Sequence, residues 1–78
     1  MKSKKRKRDP RSIGAKIHKF RKQASLSQAE LAHAIGYQGD EAGAYISRVE
    51  NGHQTPRLDT ITRIAEALGV TVCSLLPG

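Results

Sequence analysis

The chain has 78 residues, enough for one small domain and too few to enclose a sizeable catalytic cleft. Its single cysteine, Cys73, cannot form an internal disulfide, and its histidines (His18, His33 and His53) lack the thiols or the i, i+4 spacing of a zinc site. No apolar run approaches the roughly 18 residues of a membrane span, and no signal peptide is visible. We therefore expect a soluble, cytoplasmic protein that is not an enzyme and needs no metal or cofactor.

The net charge of +7 is concentrated at the N-terminus. Residues 1–9 carry six basic groups and one acid, a net of +5, whereas residues 10–78 carry eight basic and six acidic groups, a net of +2. A run of like charges stays extended and attracts polyanions. We expect a flexible arm that contacts nucleic acid or an anionic membrane, the alternative being a solvated tail that aids solubility. Its basic residues are Lys2, Lys4, Lys5, Arg6, Lys7 and Arg8.

The first helix is indicated by three apolar residues at i, i+4 and i+7. Ile13, Ile17 and Phe20 fall on one face at this spacing and are expected to be buried. Asp9 is expected to cap the helix, with Pro10 as its first residue, because proline is favoured at that position. The helix is expected to end near residue 25.

The second helix is indicated by the stretch SQAE, Ser27–Glu30. This is a capping box, in which the serine side chain accepts from the backbone amide three residues on and the glutamate reaches back. Leu31, Ala32 and Ile35 supply the buried face, and Gly36 ends the helix.

Three further helices complete the prediction. The third ends at Asn51-Gly52; the fourth is expected to have Thr55 as its cap, Pro56 as its first residue and Gly69 as its end. Thr71 caps a short last helix. No alternating strand pattern is present, so residues 10–78 are expected to form one compact all-α domain of five helices. The apolar face predicted for the fourth helix is Leu58, Ile61, Ala65 and Leu68.

Three stretches carry a family resemblance: LSQAELAHAIG, then YISRVENG, then TPRLDTITRIAEALGV. In this order they resemble the phage repressor and Cro type of helix-turn-helix protein, also called the xenobiotic-response-element family. The resemblance covers about residues 12–76. It implies a homodimeric, sequence-specific regulator of transcription, usually a repressor, that binds a palindromic site in double-stranded DNA. Such a protein is expected to be associated with the nucleoid. The resemblance also implies that the helix containing YISRVE enters the major groove.

Phosphate contacts are expected at two helix starts. The backbone amides at Ser27 and the side chain of Gln28 lie where the positive end of a helix dipole attracts an anion. The alternative for Ser27 is that it acts only as a cap. Arg57 matches a phosphate-contacting position of the family, its alternative being a solvated side chain.

Helical phase selects the base-reading face of the third helix. If Ile46 and Val49 are buried, the exposed face is made of Ala44, Ser47, Arg48 and Asn51. Arginine paired with guanine is the commonest specific major-groove contact, so Arg48 is the expected base reader, and a phosphate clamp or an exposed side chain is the alternative. The Tyr45 hydroxyl is expected either to reach a phosphate or to pack in the core.

One insertion departs from the family pattern. Gly36 and Ile46 are separated by nine residues, about four more than the family normally has, and this excess is close to one 3.6-residue helical turn. The extra residues therefore lengthen either the reading helix or the turn before it. Asp40 is expected to cap this helix, with Glu41 in its first turn, since both acids favour a helix start.

The resemblance also implies a buried ion pair and a dimer. Arg21 matches the arginine that pairs with the glutamate at the position of Glu50, which ties the first helix to the reading helix. The short last helix leaves apolar side chains with little chain to cover them, so it is expected to form the dimer interface. The alternative function is a protein-interaction module of the same fold, antitoxin-like or bridging, with DNA binding secondary. The expected interface residues are Val72, Leu75 and Leu76.

Overall fold

Five helices make up the part of the chain that the structure describes. The structure is a computed structural model, and it describes residues 12–39 and 41–76. Within these ranges there is no strand, and the all-α fold class is confirmed. The basic arm predicted at residues 1–9 lies outside them. The helices, in chain order, are α1 (Ile13–Gln23), α2 (Gln28–Ala34), α3 (Ala42–Glu50), α4 (Leu58–Leu68) and α5 (Val72–Leu75).

All five helices contribute to a single apolar core. Each presents its inner face at the helical period, as predicted from the spacing of aliphatic residues. Burying one such side chain stabilises the folded chain by about 1.5–3 kcal/mol, so the core is the main source of stability. Its largest apolar side chains are at most 1% exposed; they are Ile17, Leu31, Ile46, Val49, Ile64 and Leu75.

The predicted starts of α2 and α5 were correct. Ser27 and Glu30 form the expected capping box, and the Thr71 hydroxyl accepts from the Ser74 amide at 3.2 Å. The prediction for α1 was wrong, because the cap is Ser12 and not Asp9. The Ser12 hydroxyl accepts from the Ala15 amide at 3.1 Å, so the helix begins three residues inside the predicted position.

The predicted start of α4 was also wrong. The helix begins at Leu58, and Arg57 occupies the N-cap without a side-chain cap bond, so Thr55 and Pro56 lie outside it. Leu58, expected in the core, is 66% exposed. Leu58 is the first residue of α4, and helical side chains lean toward the N-terminus, away from the rest of their own helix. Ile61 and the rest of the predicted face do pack against the core.

Helices α1 to α4 end with the same hydrogen-bond arrangement. In each, a residue with positive φ donates through its amide to a carbonyl three residues back, and the next residue donates to one five residues back, which is the Schellman motif. The arrangement needs one residue with positive φ. Of the four residues that fill this position, three are glycines that the sequence marks as helix ends, and the fourth is a serine. These residues are Ser25 (62°), Gly36 (107°), Gly52 (82°) and Gly69 (73°).

The inserted residues lie in the connection between α2 and α3. Helix α3 begins at Ala42, so the excess widens the turn and does not lengthen α3. Glu41 is the N-cap and makes no side-chain cap bond, which corrects its predicted place in the first turn. Asp40 lies outside the described residues. In this connection the Tyr37 ring is exposed and stacks on Tyr45 of α3, with 4.6 Å between ring centroids.

Two glycines allow the helices around α3 to approach closely. A Cβ on Gly14 would overlap the carbonyl oxygen of Val49 and lie 2.9 Å from that of Glu50. A Cβ on Gly43 would lie 3.1 Å from the backbone nitrogen of Ala29. The absence of a side chain at both positions therefore sets how deeply α3 sits against α1 and α2.

Candidate nucleic-acid interface

One face of α3 is turned away from the core. Tyr45, Ile46 and Val49 are buried on the inner side, and α3 packs mainly against α2. The outer side carries the residues predicted to read bases. Ala44, Arg48 and Asn51 are exposed there, and Ser47 is partly exposed beside them.

The polar side chains of this face are hydrogen-bonded to their neighbours. Asn51 donates through Nδ2 to the Ser47 hydroxyl at 3.4 Å. Arg48 donates through Nε to Oε1 of Gln54 at 3.2 Å. Gln54 was not predicted as a site residue, because it lies beyond the helix and no local pattern indicates that the chain turns back toward Arg48.

Tyr45 is 8% exposed and belongs to the core. Burial raises the pKa of its hydroxyl to about 12, and the neighbouring Tyr37 hydroxyl acts in the same direction. This position fits the packing alternative for Tyr45, whose phosphate contact stays a prediction.

The start of α2 lies beside α3 and presents Ser27 and Gln28. Ser27 is exposed, and its hydroxyl accepts from the Glu30 amide at 3.0 Å within the capping box. The Gln28 side chain is half-buried and donates through Nε2 to Oε1 of Glu50 at 3.1 Å. A primary amide has a second N–H, so this bond leaves Gln28 one donor for a phosphate.

Glu50 is the buried centre of a polar network that joins α1, α2 and α3. Arg21 Nε donates to Oε2 at 2.6 Å, and Nη2 lies 3.3 Å from Oε1. Glu50 is 2% exposed and Arg21 is 7% exposed. Arg21 also donates through Nη1 to the Leu26 carbonyl at 2.7 Å, which holds the α1–α2 turn.

His18 is a member of this network that sequence reasoning missed. Its Nδ1 lies 3.1 Å from Oε1 of Glu50, and its side chain is 37% exposed. Its position three residues before Arg21 on α1 places the two on the same face, which is the signal that would have identified it.

The ionised form of Glu50 is favoured in spite of its burial. Burial alone would raise the pKa of this carboxyl. Hydrogen bonds from Arg21, Gln28 and His18 outweigh that effect and hold the pKa below its ordinary value. The carboxylate therefore acts as a fixed negative charge that orients donors from two other helices.

The surface around α5 differs from the prediction. Leu75 is completely buried within the chain and cannot supply interface area, because α5 folds back onto the core. Val72 is partly buried, and Leu76 is 36% exposed. The Leu76 carbonyl accepts from Lys16 Nζ at 2.7 Å, which ties the end of α5 to α1.

Arg57, the phosphate contact predicted at the start of α4, has an exposed side chain.

A family model described as Helix-turn-helix matches residues 17–75, which include all of α2 to α5 and most of α1. The chain belongs to the helix-turn-helix family. This is a family of transcription regulators and not of enzymes. The match to this family model and the relatives described below confirm the predicted resemblance to the phage repressor type.

Two phage-related proteins are similar in sequence to this helix-turn-helix chain. The ImmF control region 10 kDa protein of Bacillus phage phi105 is 39% identical over 57 residues, 73% of this chain and 59% of that protein. The cryptic phage CTXphi transcriptional repressor RstR of Vibrio cholerae is 34% identical over 64 residues, 82% of this chain and 54% of the repressor. The chain thus spans little more than half the length of either relative.

A solved structure has the same helix-turn-helix fold. The crystal structure of the hypothetical transcription factor NHTF from Neisseria superposes with a TM-score of 0.72 at 34% sequence identity. The match covers 88% of this chain and 77% of that one.

The described part of this helix-turn-helix domain contains neither a cluster of metal-binding side chains nor a membrane-spanning helix. Within residues 12–39 and 41–76, no three histidine, cysteine or acidic side chains are grouped so as to hold a metal ion. None of the helices α1 to α5 has the length and apolar character required to cross a bilayer.

Proposed function

We propose that the chain binds double-stranded DNA in a sequence-specific manner as a homodimer and represses transcription. The observation that carries the proposal is the exposed face of α3, where Arg48 is the only long charged side chain. This face lies next to the helix start of Ser27, and a buried ion pair fixes α3 to α1. The arrangement fits a helix placed in the major groove with its neighbour against phosphate.

The residues divide into three roles in this proposal. Arg48 reads a guanine, and the short side chains beside it contact base edges or a thymine methyl. Ser27, Gln28 and Arg57 hold phosphates. The arm contacts phosphate or a minor groove through Lys5, Arg6, Lys7 and Arg8. The short side chains that flank Arg48 are Ala44, Ser47 and Asn51.

The dimer would be formed by the C-terminal part of the domain. Its support is apolar surface, since Leu76 is exposed and Val72 is only partly buried. A two-fold pair of this kind would place the two reading helices about 34 Å apart, matching successive major grooves of a palindromic site. Sedimentation tests this assembly: Leu76→Asp should shift the dimer toward monomer, and a wild-type monomer both free and on DNA would refute it.

Selection of bound sequences from a random DNA pool tests the proposal as a whole. Enrichment of a palindrome is the expected result, and failure to enrich any sequence would refute specific binding. Repression is then measured with a reporter gene whose promoter contains the selected site. Expression should fall when the protein is produced, and a rise would make the protein an activator.

Two variants separate base reading from phosphate binding. Arg48→Ala should cost about 1–3 kcal/mol on the selected site and remove preference at one base pair. Gln28→Ala should weaken selected and random DNA alike, because phosphate carries no sequence information. Arg63→Ala removes an equal charge from the exposed side of α4 and serves as the control. Equal losses on both DNAs for Arg48→Ala would make Arg48 a phosphate contact.

A further inference from the structure

Gln54 lies outside the predicted interface residues but is bonded directly to one of them. It is in the connection between α3 and α4, and its Oε1 accepts from Arg48 Nε at 3.2 Å. The connection is itself held at Arg48, because the His53 amide donates to the Arg48 carbonyl at 2.8 Å. The backbone and the side chain of Arg48 are therefore both tied to the turn that ends the reading helix.

The chemistry of the contact leaves the rest of the guanidinium available. Arginine has donors only, so the glutamine must present its carbonyl oxygen to it. The bond uses Nε and not the two terminal nitrogens. Those two nitrogens form the fork that pairs end-on with O6 and N7 of guanine.

Holding the Arg48 side chain in place before DNA binds affects the affinity for DNA. A long side chain that must be immobilised on binding loses affinity by about two- to tenfold. An Arg48 side chain that is already held at Nε loses less affinity on binding. This advantage is realised only at a base that offers two acceptors to the two terminal nitrogens of Arg48. A restraint of this kind therefore increases discrimination more than it increases general DNA affinity.

We propose that Gln54 is a specificity-determining residue that positions Arg48 to meet guanine end-on. This inference rests on the proposed base-reading role of Arg48. Gln54 acts through the arginine and does not itself contact the base that Arg48 reads.

The experiment compares binding to the selected DNA site, to the same site with the Arg48-dependent base pair changed, and to random DNA. In Gln54→Ala, preference for the correct base pair should fall about two- to tenfold, while random DNA is bound as before. Gln54→Glu keeps an acceptor for Nε and should keep the preference, although its added charge weakens binding to all DNA. Gln23→Ala removes an exposed glutamine from α1 and is the matched control.

A second measurement needs no DNA. The ¹⁵N relaxation of the Arg48 Nε–H group should indicate a more mobile side chain in Gln54→Ala than in the wild type. Equal mobility would overturn the inference at its first step.

The double variant separates positioning from direct contact. In an Arg48→Ala background, Gln54→Ala should have no further effect on preference, and an undiminished loss there would overturn the inference by making Gln54 a DNA contact itself. Preference lost in Arg48→Ala but retained in Gln54→Ala would overturn this inference alone. Preference retained in Arg48→Ala would overturn the base-reading role and this inference with it.

Discussion

At the scale of single residues, the buried carboxylate of Glu50 is the most demanding group in the fold. It is completely surrounded, and its principal partner, Arg21, is nearly as buried. Removing either partner leaves the other charged and desolvated. Such an ion pair therefore fixes the relative position of α1 and α3 more than it adds net stability.

Arg21→Ala and Glu50→Ala should each lower the free energy of unfolding by about 3–5 kcal/mol. The double variant should lose less than the sum, because it leaves no unpaired charge. His18→Ala removes the half-exposed member of the same network and should cost about 1 kcal/mol or less. Urea unfolding measures all four values, and a coupling energy near zero between Arg21 and Glu50 would contradict the prediction.

Glu50 also makes stability depend on acidity. Its folded pKa is lowered, so between the unfolded pKa and the folded pKa the unfolded chain binds a proton that the folded chain does not. The stabilisation by Glu50 is complete above the unfolded pKa of about 4.3 and is lost as the pH falls through the folded pKa. In Glu50→Gln, the free energy of unfolding should change less with pH over this range. Glu66→Gln, which removes an exposed carboxylate from α4, is the control.

Sequence reasoning was sufficient for residues whose role is set by their neighbours in the chain. The capping box at Ser27 and the glycine that ends α4 need only local geometry, and both were correct. Arg21 was identified through family resemblance, and His18 could have been identified from its spacing of three residues before Arg21 on α1. Gln54 bonds to Arg48 from beyond the end of α3, where no spacing rule applies. The caps predicted at Asp9 and Thr55 were wrong, because Ser12 is a second capping residue near the start of α1 and α4 begins without a side-chain cap.

At the scale of the elements, Gly14 controls how α1 meets α3. A side chain there would collide with the Val49 carbonyl, which belongs to the backbone and cannot rotate away. Alanine is normally favoured over glycine in a helix by about 1 kcal/mol. In Gly14→Ala we expect that gain to be reversed into a loss of about 1–3 kcal/mol through overpacking.

Gly43→Ala is the comparison for that prediction, since its Cβ would meet the Ala29 backbone at 3.1 Å, a milder crowding. Thermal unfolding of the two variants should therefore rank Gly14→Ala as the less stable. A more stable Gly14→Ala would mean that α1 moves away from α3 without cost.

At this scale, the sequence alone did not establish whether the inserted residues belong to α3 or to the turn before it. An excess of about one helical turn fits either a longer α3 or a longer connection, and the stretch GYQG favours placing some of it in the connection. The structure places the excess in the connection, where the exposed ring of Tyr37 stacks on the buried Tyr45 of α3. That contact depends on the three-dimensional path of the chain and has no periodic signal.

At the scale of the whole molecule, charge is divided between the helical domain and the arm. Each phosphate neutralised adds about 0.9 to the slope of log affinity against log salt concentration. If the arm lies along DNA, deleting residues 2–8 should lower that slope by several units and weaken binding most at low salt. A solubility tail would leave the slope unchanged.

Insertion of the arm into a minor groove would add a dependence on sequence. The effect of the deletion should then vary with A·T content beside the half-sites, because a narrow groove concentrates negative potential. Titrations of both forms at several salt concentrations, on sites with A·T or G·C flanks, measure the two effects separately.

The stacking of Tyr37 on Tyr45 gives the molecule an optical signal of its own. The chain has no tryptophan and two tyrosines, one in the turn that leads into α3 and one within α3. In the tyrosine band, near-ultraviolet circular dichroism should therefore report on this stacked pair, and it should weaken when the two rings separate. With the Tyr45 pKa raised to about 12, absorbance at high pH should show Tyr45 ionising late for as long as the turn is intact. Loss of that delay before the helical signal falls would show that the turn opens ahead of the rest of the domain.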